Sequence, residues 1–311
     1  MSGAVILKKG RAKPVNQRHP WIYSGSIDLV EGDPADGQVI DVRDAGNNWL
    51  ARGYVNRQSQ IVVRLLTWEQ DEQVGVDFWR RCLERAIAAR QALADDFATD
   101  AYRLVHAESD YLPGLIVDRY GGWVVAQFLT LGVERWRDEV VDLLVDLVDG
   151  VRGVYERSDV DVREKEGLAQ RTGLLWGEDP PEEIEIVENG RRFLVDVRQG
   201  HKTGFYLDQR ENRARLPAFC AASGAGVEVL DAFSYVGGFS VYAAAGGAKA
   251  VTLVDESAPA LELARRNLAL NRCESAEAEF VEGNVFSVLR GYRAQERRFD
   301  VVVLDPPIVL F

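Results

Sequence analysis

The chain has 311 residues, 47% of them hydrophobic, and a formal net charge of −12. That length suffices for two or three domains, and the absence of any run of about 18 apolar residues excludes a membrane span. The N-terminal apolar stretch is too short for a signal peptide, and its charges lie on the wrong side. Three well-separated cysteines, Cys82, Cys220 and Cys273, fit neither a metal site nor a disulfide framework. We therefore expect a cytoplasmic protein that binds no metal.

The negative charge is distributed unevenly along the chain. Residues 1–64 contain nine Lys or Arg against six Asp or Glu, whereas residues 76–183 contain 13 against 23. The net acidity argues against a nucleic-acid partner, but the distribution of charge matters more than its sum. Five basic residues lie close together near the N-terminus: Lys8, Lys9, Arg11, Lys13 and Arg18. This cluster is either a surface for phosphates or a solvated edge of an acidic protein.

Residues 1–74 predict a small, strand-rich barrel. Apolar and polar side chains alternate in runs such as Val39–Arg43 and Gln60–Leu66, and turns rich in Gly, Asn and Asp separate these runs. Alternation of this kind is typical of strands with one buried face.

Residues 75–183 predict an α+β domain. We expect helices at about 75–94 and 133–148, and strands at 102–106, 115–118, 123–129 and 152–157. Strand runs interrupted by a helix are typical of α+β domains. The acidic, Pro-containing stretch 177–183 is typical of a linker to the next domain.

From residue 184 the pattern changes to alternating strands and helices. A hairpin (184–187 and 192–197) precedes an amphipathic helix at about 208–222, for which Asp208 is the expected N-cap. Strands are then expected at 228–231, 250–254, 278–281 and 299–304, and helices from about 238, at 257–271 and at 284–292. This order predicts an α/β fold with a parallel sheet and right-handed crossovers.

Polar or glycine-rich residues follow all four predicted parallel strands. They include the Gly237–Gly238 turn, Asp255, Asn284 and Asp305. Ligands of open α/β sheets bind outside the carboxyl ends of the strands. Asp255 is placed to accept both hydroxyls of an adenosine ribose, and Asn284, close to an aromatic residue, suits an adenine edge. Because no Lys is present for a pyrophosphate, these strand ends predict S-adenosylmethionine as the cofactor.

The segments HKTGFYLDQR at 201–210 and DAFSYVGGF at 231–239 are long and specific. They resemble the bacterial family of 23S rRNA cytosine 5-methyltransferases of the large subunit methyltransferase I type. Lys9–Arg11 with His19–Tyr23 resembles the PUA domain of that family, and Asp110–Tyr120 resembles its central domain. The resemblance implies a PUA-like β-barrel at 1–74, a central α+β domain at 75–183 and a Rossmann-like class I methyltransferase domain at 184–311.

The resemblance also implies roles for individual residues. The segment Phe205–Arg210, with Gln209 and Arg210 foremost, would cover the methionine end of S-adenosylmethionine, and Asp255 would hold the ribose. A cofactor loop would be formed by Asp231, Phe233, Tyr235 and Gly237. Asn284 and Val285 would lie beside the adenine, and Asp305 would lie near the methyl group and the target base.

Ribosomal RNA is the partner that the resemblance implies. The PUA-like segment, with its local surplus of positive charge, predicts that Lys8, Lys9 and Arg11 contact RNA phosphates. No membrane partner is expected, and the sequence leaves a homodimer open.

The last predicted strand ends in Asp305-Pro306-Pro307, and four residues follow it. Methyltransferases of this class continue for three more strands, so we expect roughly 75 residues of the doubly wound plan to be missing. The family has its nucleophilic cysteine in that later part, and usually a Lys directly after Asp-Pro-Pro, where this chain has Ile308. A natural truncation, a frameshift and a deliberately shortened form all fit.

Methylation of cytosine at carbon 5 needs a thiolate that adds to carbon 6. We do not expect Cys82, Cys220 or Cys273 to supply it, because the first two occupy helix-packing positions and the third lies in a loop. Two functions therefore stay open: an rRNA cytosine methyltransferase, and a catalytically inactive module that binds RNA and cofactor. A third is methyl transfer to another nucleic-acid atom or a small molecule, since Asp-Pro-Pro resembles the signature of amino-methylating enzymes.

Overall fold

The structure, a computed structural model, describes residues 3–96, 98–273 and 276–306. They form two compact units. The first contains the described residues up to 96 together with 102–180, and the second contains 98–101 together with 181–306. Among the described residues, no helix combines the length and the apolar character needed to cross a membrane.

The N-terminal part of the first unit is a six-stranded sheet. Its strands are β1 (Ala4–Leu7), β2 (Trp21–Tyr23), β3 (Ile27–Glu31), β4 (Val39–Arg43), β5 (Trp49–Val55) and β6 (Ile61–Thr67), and a short helix α1 (Lys13–Asn16) precedes β2. The strands are hydrogen-bonded in the order β2-β6-β5-β4-β1-β3. Ile40 and Val42 of β4 are buried in the core while Asp41 between them pairs with Arg52, as the alternating pattern predicted.

The second sheet of the first unit has five strands and is covered by helices. It contains β7 (Ala101–His106), β8 (Leu115–Tyr120), β9 (Trp123–Phe128), β10 (Gly153–Ser158) and β11 (Arg171–Gly177), in the order β11-β10-β9-β8-β7. The helices are α2 (Val76–Ala88), α3 (Gln91–Ala94), α4 (Leu131–Glu134) and α5 (Arg137–Leu147). One continuous core contains buried residues from this sheet and from α2 and α5, which is the expected α+β arrangement.

Two predictions for this region were wrong in detail, and one strand was not predicted. The helix predicted at 75–94 is divided in two because Arg90 leaves the helical path and forms a bidentate ion pair with Asp110, at 2.6 and 2.8 Å. The helix predicted at 133–148 is likewise divided, near Trp136. Strand β11 was not predicted, because most of its residues are exposed and it lacks a buried alternating face.

The second unit begins with a hairpin and continues as a four-stranded parallel sheet. The hairpin is β12 (Ile184–Glu188) with β13 (Arg191–Val195); the sheet contains β14 (Glu228–Ala232), β15 (Ala250–Asp255), β16 (Glu277–Glu282) and β17 (Val301–Leu304). Its helices are α6 (Arg210–Ala222), α7 (Gly238–Ala245), α8 (Ala258–Leu270) and α9 (Val285–Ala294). The sheet order is β16-β15-β14-β17, so the chain reverses its direction of winding at β14. Ligand crevices of doubly wound folds lie at such a switch point.

Two details of the second unit differ from the predictions. The last strand begins at Val301 and not at Phe299, because the Phe299 ring packs against Tyr292 and the Asp300 carboxylate accepts a hydrogen bond from the backbone of Glu228. Asp208 does not cap α6: it lies in a short 3-10 turn and pairs with Lys202 at 3.1 Å.

Candidate active site

A cavity of about 450 Å³ opens at the carboxyl ends of the parallel strands. The residues that line it follow β14, β15 and β17 or lie at the starts of α7 and α9, and others come from α6 and the segment before it. Six residues predicted for the site line the cavity: Phe233, Tyr235, Asp255, Asn284, Val285 and Asp305. The predicted residues Gln209, Arg210, Asp231 and Gly237 are not among its lining residues.

The loop after β14 has an unusual backbone. Phe233, Tyr235 and Gly237 all have positive φ angles, of 64°, 47° and 75°. Large side chains rarely adopt this conformation, and such strain is concentrated at functional sites. A Cβ on Gly237 would lie 2.9 Å from the Cβ of Ala264. Only glycine therefore fits there, and it allows the loop to approach α8 closely.

Asp231, which precedes this loop, stabilises the start of the helix that follows it. Its buried carboxylate accepts hydrogen bonds from the backbone N–H of Ser240, at 3.1 Å, and from the Ser240 hydroxyl, at 2.7 Å. Ser240 lies in the first turn of α7, where backbone N–H groups lack helical partners. Burial raises the pKa of Asp231 to about 7. Asp231 thus fixes the start of α7 relative to β14.

Asp255 connects two segments at the cavity wall. Its carboxylate accepts hydrogen bonds from the backbone N–H of Tyr235 at 2.8 Å and of Ser257 at 2.9 Å. A carboxylate has about four lone-pair sites, so both oxygens can accept further bonds from a ligand. Glu256, the next residue, also lines the cavity and accepts a hydrogen bond from Asn284 Nδ2 at 2.5 Å.

The part of the cavity wall that follows β16 is apolar, except for the side-chain amide of Asn284. The Oδ1 atom of Asn284 accepts the backbone N–H of Ser287 at 3.1 Å and so caps α9. Val285 is buried, whereas Phe286 is 59% exposed and its ring lies edge-on to Phe233, with centroids 5.6 Å apart. These features suit a flat heterocycle that is stacked on one side and exposed on the other.

Asp305 faces the cavity from the end of β17. Its carboxylate accepts a hydrogen bond from Gln209 Nε2 at 3.3 Å, which places Gln209 directly behind the lining residues. Burial and the nearby Asp208 carboxylate raise the pKa of Asp305. Arg210 points elsewhere, since its guanidinium pairs with Glu211 at 2.8 Å. Pro307 and Ile308 lie outside the described residues.

Phe205 and Tyr206 of the predicted segment 205–210 line the cavity, and so do His201 and Arg213, which were not predicted for the site. His201 stacks on Tyr235 with ring centroids 4.6 Å apart and planes 7° apart, and the Tyr206 ring lies edge-on to both. Burial, and secondarily the negative charge of Asp305, raises the pKa of Tyr206. Arg213 lies against the Phe205 ring at 4.4 Å. The HKTGFYLDQR segment includes His201, but no local signal pointed to Arg213.

The residues present fit S-adenosylmethionine. A carboxylate at the end of the second strand suits ribose hydroxyls, the Val285–Phe286 wall suits an adenine, and the aromatic residues 201, 206 and 235 suit a sulfonium cation, which is attracted to ring faces. A family model described as "S-adenosylmethionine-dependent methyltransferase" matches residues 169–310, and one described as "PUA-like domain" matches residues 5–68. The predicted cofactor and the predicted fold are thereby confirmed.

Close relatives cover nearly the whole chain. A protein from Tolumonas auensis named "Ribosomal RNA large subunit methyltransferase I" is 48% identical over 308 residues, which are 99% of this chain and 76% of that protein. The chain belongs to this family. A protein of the same name from Aeromonas salmonicida is 46% identical, with the same shares covered. The family resemblance predicted from the sequence motifs is confirmed.

Two solved structures share the fold of this family member. A SAM-dependent methyltransferase from Streptococcus mutans superposes with a TM-score of 0.84 at 27% identity, covering 99% of this chain and 77% of its own. A methyltransferase solved in complex with SAH gives 0.85 at 27% identity, covering 99% and 76%.

The three cysteines of the chain are all buried. Burial raises the pKa of Cys82 and of Cys220, which opposes formation of a thiolate. Cys273 was predicted in a polar loop, but its sulfur is enclosed and lies 3.9 Å from the carbonyl oxygen of Val241. None of the three lines the cavity.

The predicted RNA contacts belong to the first unit. Lys8, Lys9 and Arg11 follow β1 and are all exposed. Lys8 Nζ donates a hydrogen bond to the carbonyl oxygen of Gly25 at 3.1 Å.

Proposed function

We propose that this protein transfers a methyl group from S-adenosylmethionine to carbon 5 of a cytosine in large-subunit ribosomal RNA. The observation that carries the proposal is the cavity at the switch point, which joins the carboxylates of Asp255 and Asp305 to an apolar wall. The names of the relatives support an rRNA acceptor, and such an acceptor is met in the cytoplasm.

The cofactor residues have separate tasks in this proposal. Asp255 accepts the ribose hydroxyls, and Asn284 and Val285 border the adenine. Phe233 and Tyr235 shape the loop that closes over the cofactor, with Asp231 and Gly237 holding that loop in place. Gln209 orients Asp305 through their hydrogen bond, and Arg210 follows Gln209 as the first residue of α6.

Bound S-adenosylmethionine supplies an electrophilic methyl group. Asp305 then lies at the acceptor side of the cavity, where a carboxylate can accept a hydrogen bond from the exocyclic amino group of cytosine. This contact selects cytosine over uracil, which has a carbonyl oxygen at that position. The raised pKa of Asp305 weakens the contact as the pH falls, because a protonated carboxyl is a poorer acceptor.

The buried cysteines favour one alternative function. Because none of Cys82, Cys220 and Cys273 lines the cavity, this chain is alternatively a module that binds RNA and cofactor without transferring the methyl group. The two functions share the cofactor site and differ only in the covalent step at carbon 6 of the base.

The deciding experiment incubates the purified protein with tritiated S-adenosylmethionine and large-subunit rRNA that lacks the modification. Label in 5-methylcytidine, identified by mass spectrometry of the digested RNA, is the expected result. Cofactor binding and RNA binding without any label would support the binding module. Label in a different nucleoside would contradict carbon 5 as the acceptor. A variant with all three cysteines changed to serine tests the nucleophile: loss of label with cofactor binding retained would mean that one of these thiols adds to carbon 6, and label that persists would mean that none of them does.

A further inference from the structure

The N-terminal sheet carries a small pocket that the proposed function does not use. Its volume is about 180 Å³, and it lies between α1 and β2. Leu7, Val15 and Ile22 line it and are at most 3% exposed. Their side chains therefore give the pocket an apolar interior, and its small size limits an occupant to about one ring system.

Three aromatic side chains border this pocket. His19 precedes β2, and Trp21 and Tyr23 are the first and last residues of that strand. The rings of His19 and Tyr23 are each nearly perpendicular to that of Trp21, with centroids 5.9 and 6.5 Å away. Trp21 is held in place because its indole N–H donates to Glu108 Oε1 at 2.8 Å. Tyr23 is 46% exposed, so part of its ring is accessible to a ligand.

Positive charge surrounds the same pocket. Arg11 lines it directly, and Lys8 and Lys9 precede it in the chain. No salt bridge joins any of these three side chains to another residue that the structure describes. Aromatic rings beside cations are the combination with which proteins bind single-stranded nucleic acids, since every base has a face that can stack.

We propose that this pocket binds one unpaired nucleobase of the RNA substrate. The base stacks against Tyr23 or His19, and Lys8, Lys9 and Arg11 contact the phosphates on either side. The inference rests on the proposed function, because it takes RNA as the partner, but it concerns a site in the other compact unit. A base pair is too large for the pocket, so the site selects single-stranded or flipped-out nucleotides over a continuous duplex.

The test uses a short single-stranded oligoribonucleotide with one 2-aminopurine, and a duplex of the same sequence. We expect wild-type protein to quench the fluorescence of the single strand by stacking. In Tyr23→Ala the quenching should disappear and the affinity should fall roughly tenfold, within the range for loss of one stacked base. Tyr23→Phe should restore both, since it keeps the ring. Trp176→Ala, which removes a 39% exposed aromatic ring on another sheet, is the matched control and should bind like wild type.

Salt dependence separates the rings from the cations. Because stacking releases no counterions, Tyr23→Ala should lower the affinity equally at all salt concentrations and leave the log–log slope unchanged. Equal weakening of single-strand and duplex binding, or unchanged quenching in Tyr23→Ala, would overturn the base pocket. If wild-type protein methylates rRNA yet Tyr23→Ala binds the oligonucleotide normally, only this inference fails. If wild-type protein neither binds RNA nor methylates it, both proposals fail.

Discussion

Glu188 and Arg213 form a buried, bidentate ion pair in the second unit. Arg213 donates from Nε and Nη2 to the two carboxylate oxygens at 2.8 and 2.6 Å, and both side chains are at most 2% exposed. Arg213 Nη2 also donates to the carbonyl oxygen of Tyr206 at 3.0 Å. Because Glu188 ends β12 and Arg213 lies on α6, this one guanidinium connects the hairpin, the helix and the aromatic wall of the cavity.

Breaking this ion pair should lower the stability of the protein, because the charge of Arg213 would stay buried without a partner. Glu188→Gln should lower the free energy of unfolding by about 3 kcal/mol, the lower end of the range for a broken buried pair, since the amide keeps one acceptor. The matched control is Glu185→Gln on the same strand. Its pair with Arg192, at 2.6 Å, is about half exposed, so its loss should change stability by less than about 1 kcal/mol. Urea denaturation measures both, and equal effects would contradict a special role for Glu188.

The proposed contact of Asp255 with the ribose can be tested by measuring the affinity for S-adenosylmethionine. Asp255→Ala removes an acceptor for the ribose hydroxyls and also releases the backbone N–H of Tyr235. Hydrogen bonds to charged groups contribute about 1.5–3 kcal/mol, so the dissociation constant for S-adenosylmethionine should rise roughly ten- to hundredfold. Titration calorimetry measures it, with Glu282→Ala, an exposed acid at the end of the neighbouring strand, as the control. An unchanged dissociation constant in Asp255→Ala would show that the ribose lies elsewhere.

Asp231 should make stability depend on pH. Its pKa is raised from 3.8 to about 7, so between these values the folded state holds a proton that the unfolded state has lost. The contribution of Asp231 to stability is therefore complete below pH 3.8 and falls as the pH rises toward 7. The expected slope is about 1.4 kcal/mol per pH unit.

Asp231→Asn removes this titration and keeps an acceptor for Ser240. The difference in unfolding free energy between variant and wild type should therefore grow from pH 5 to pH 7 in favour of the variant, and stay constant above that. Urea denaturation at several pH values measures this difference. A difference independent of pH would mean that Asp231 is ionised in the folded state throughout this range.

The alternation of strands and helices after residue 184 was enough to predict the parallel sheet. It also predicted that Asp255, Asn284 and Asp305 approach one another, because the carboxyl ends of parallel strands lie at one edge. The structure brings these three residues to one cavity. The three residues are far apart in the sequence, but the parallel sheet brings the ends of their strands together.

Other features depend on contacts that no local pattern records. The Glu188–Arg213 pair joins residues 25 positions apart, and the break before α3 depends on Asp110, which lies on another element. The position of a residue at the end of a strand also does not specify the direction of its side chain. Asp231 was expected in the cofactor loop, and it turns inward to Ser240.

The basic cluster near the N-terminus can be tested by the salt dependence of RNA binding. Each lysine or arginine that neutralises a phosphate releases counterions, so the log of the affinity falls linearly with the log of the salt concentration. Changing Lys8, Lys9 and Arg11 together to Ala should weaken binding to all RNA sequences and reduce that slope by about 2 to 3 units, as three lost contacts require. A triple variant of Lys165, Arg215 and Lys249 to Ala, three exposed cations elsewhere on the protein, removes the same charge and is the control for a general change of surface charge. An unchanged slope in the first variant would mean that these three cations touch solvent only, and that RNA meets the protein on another surface.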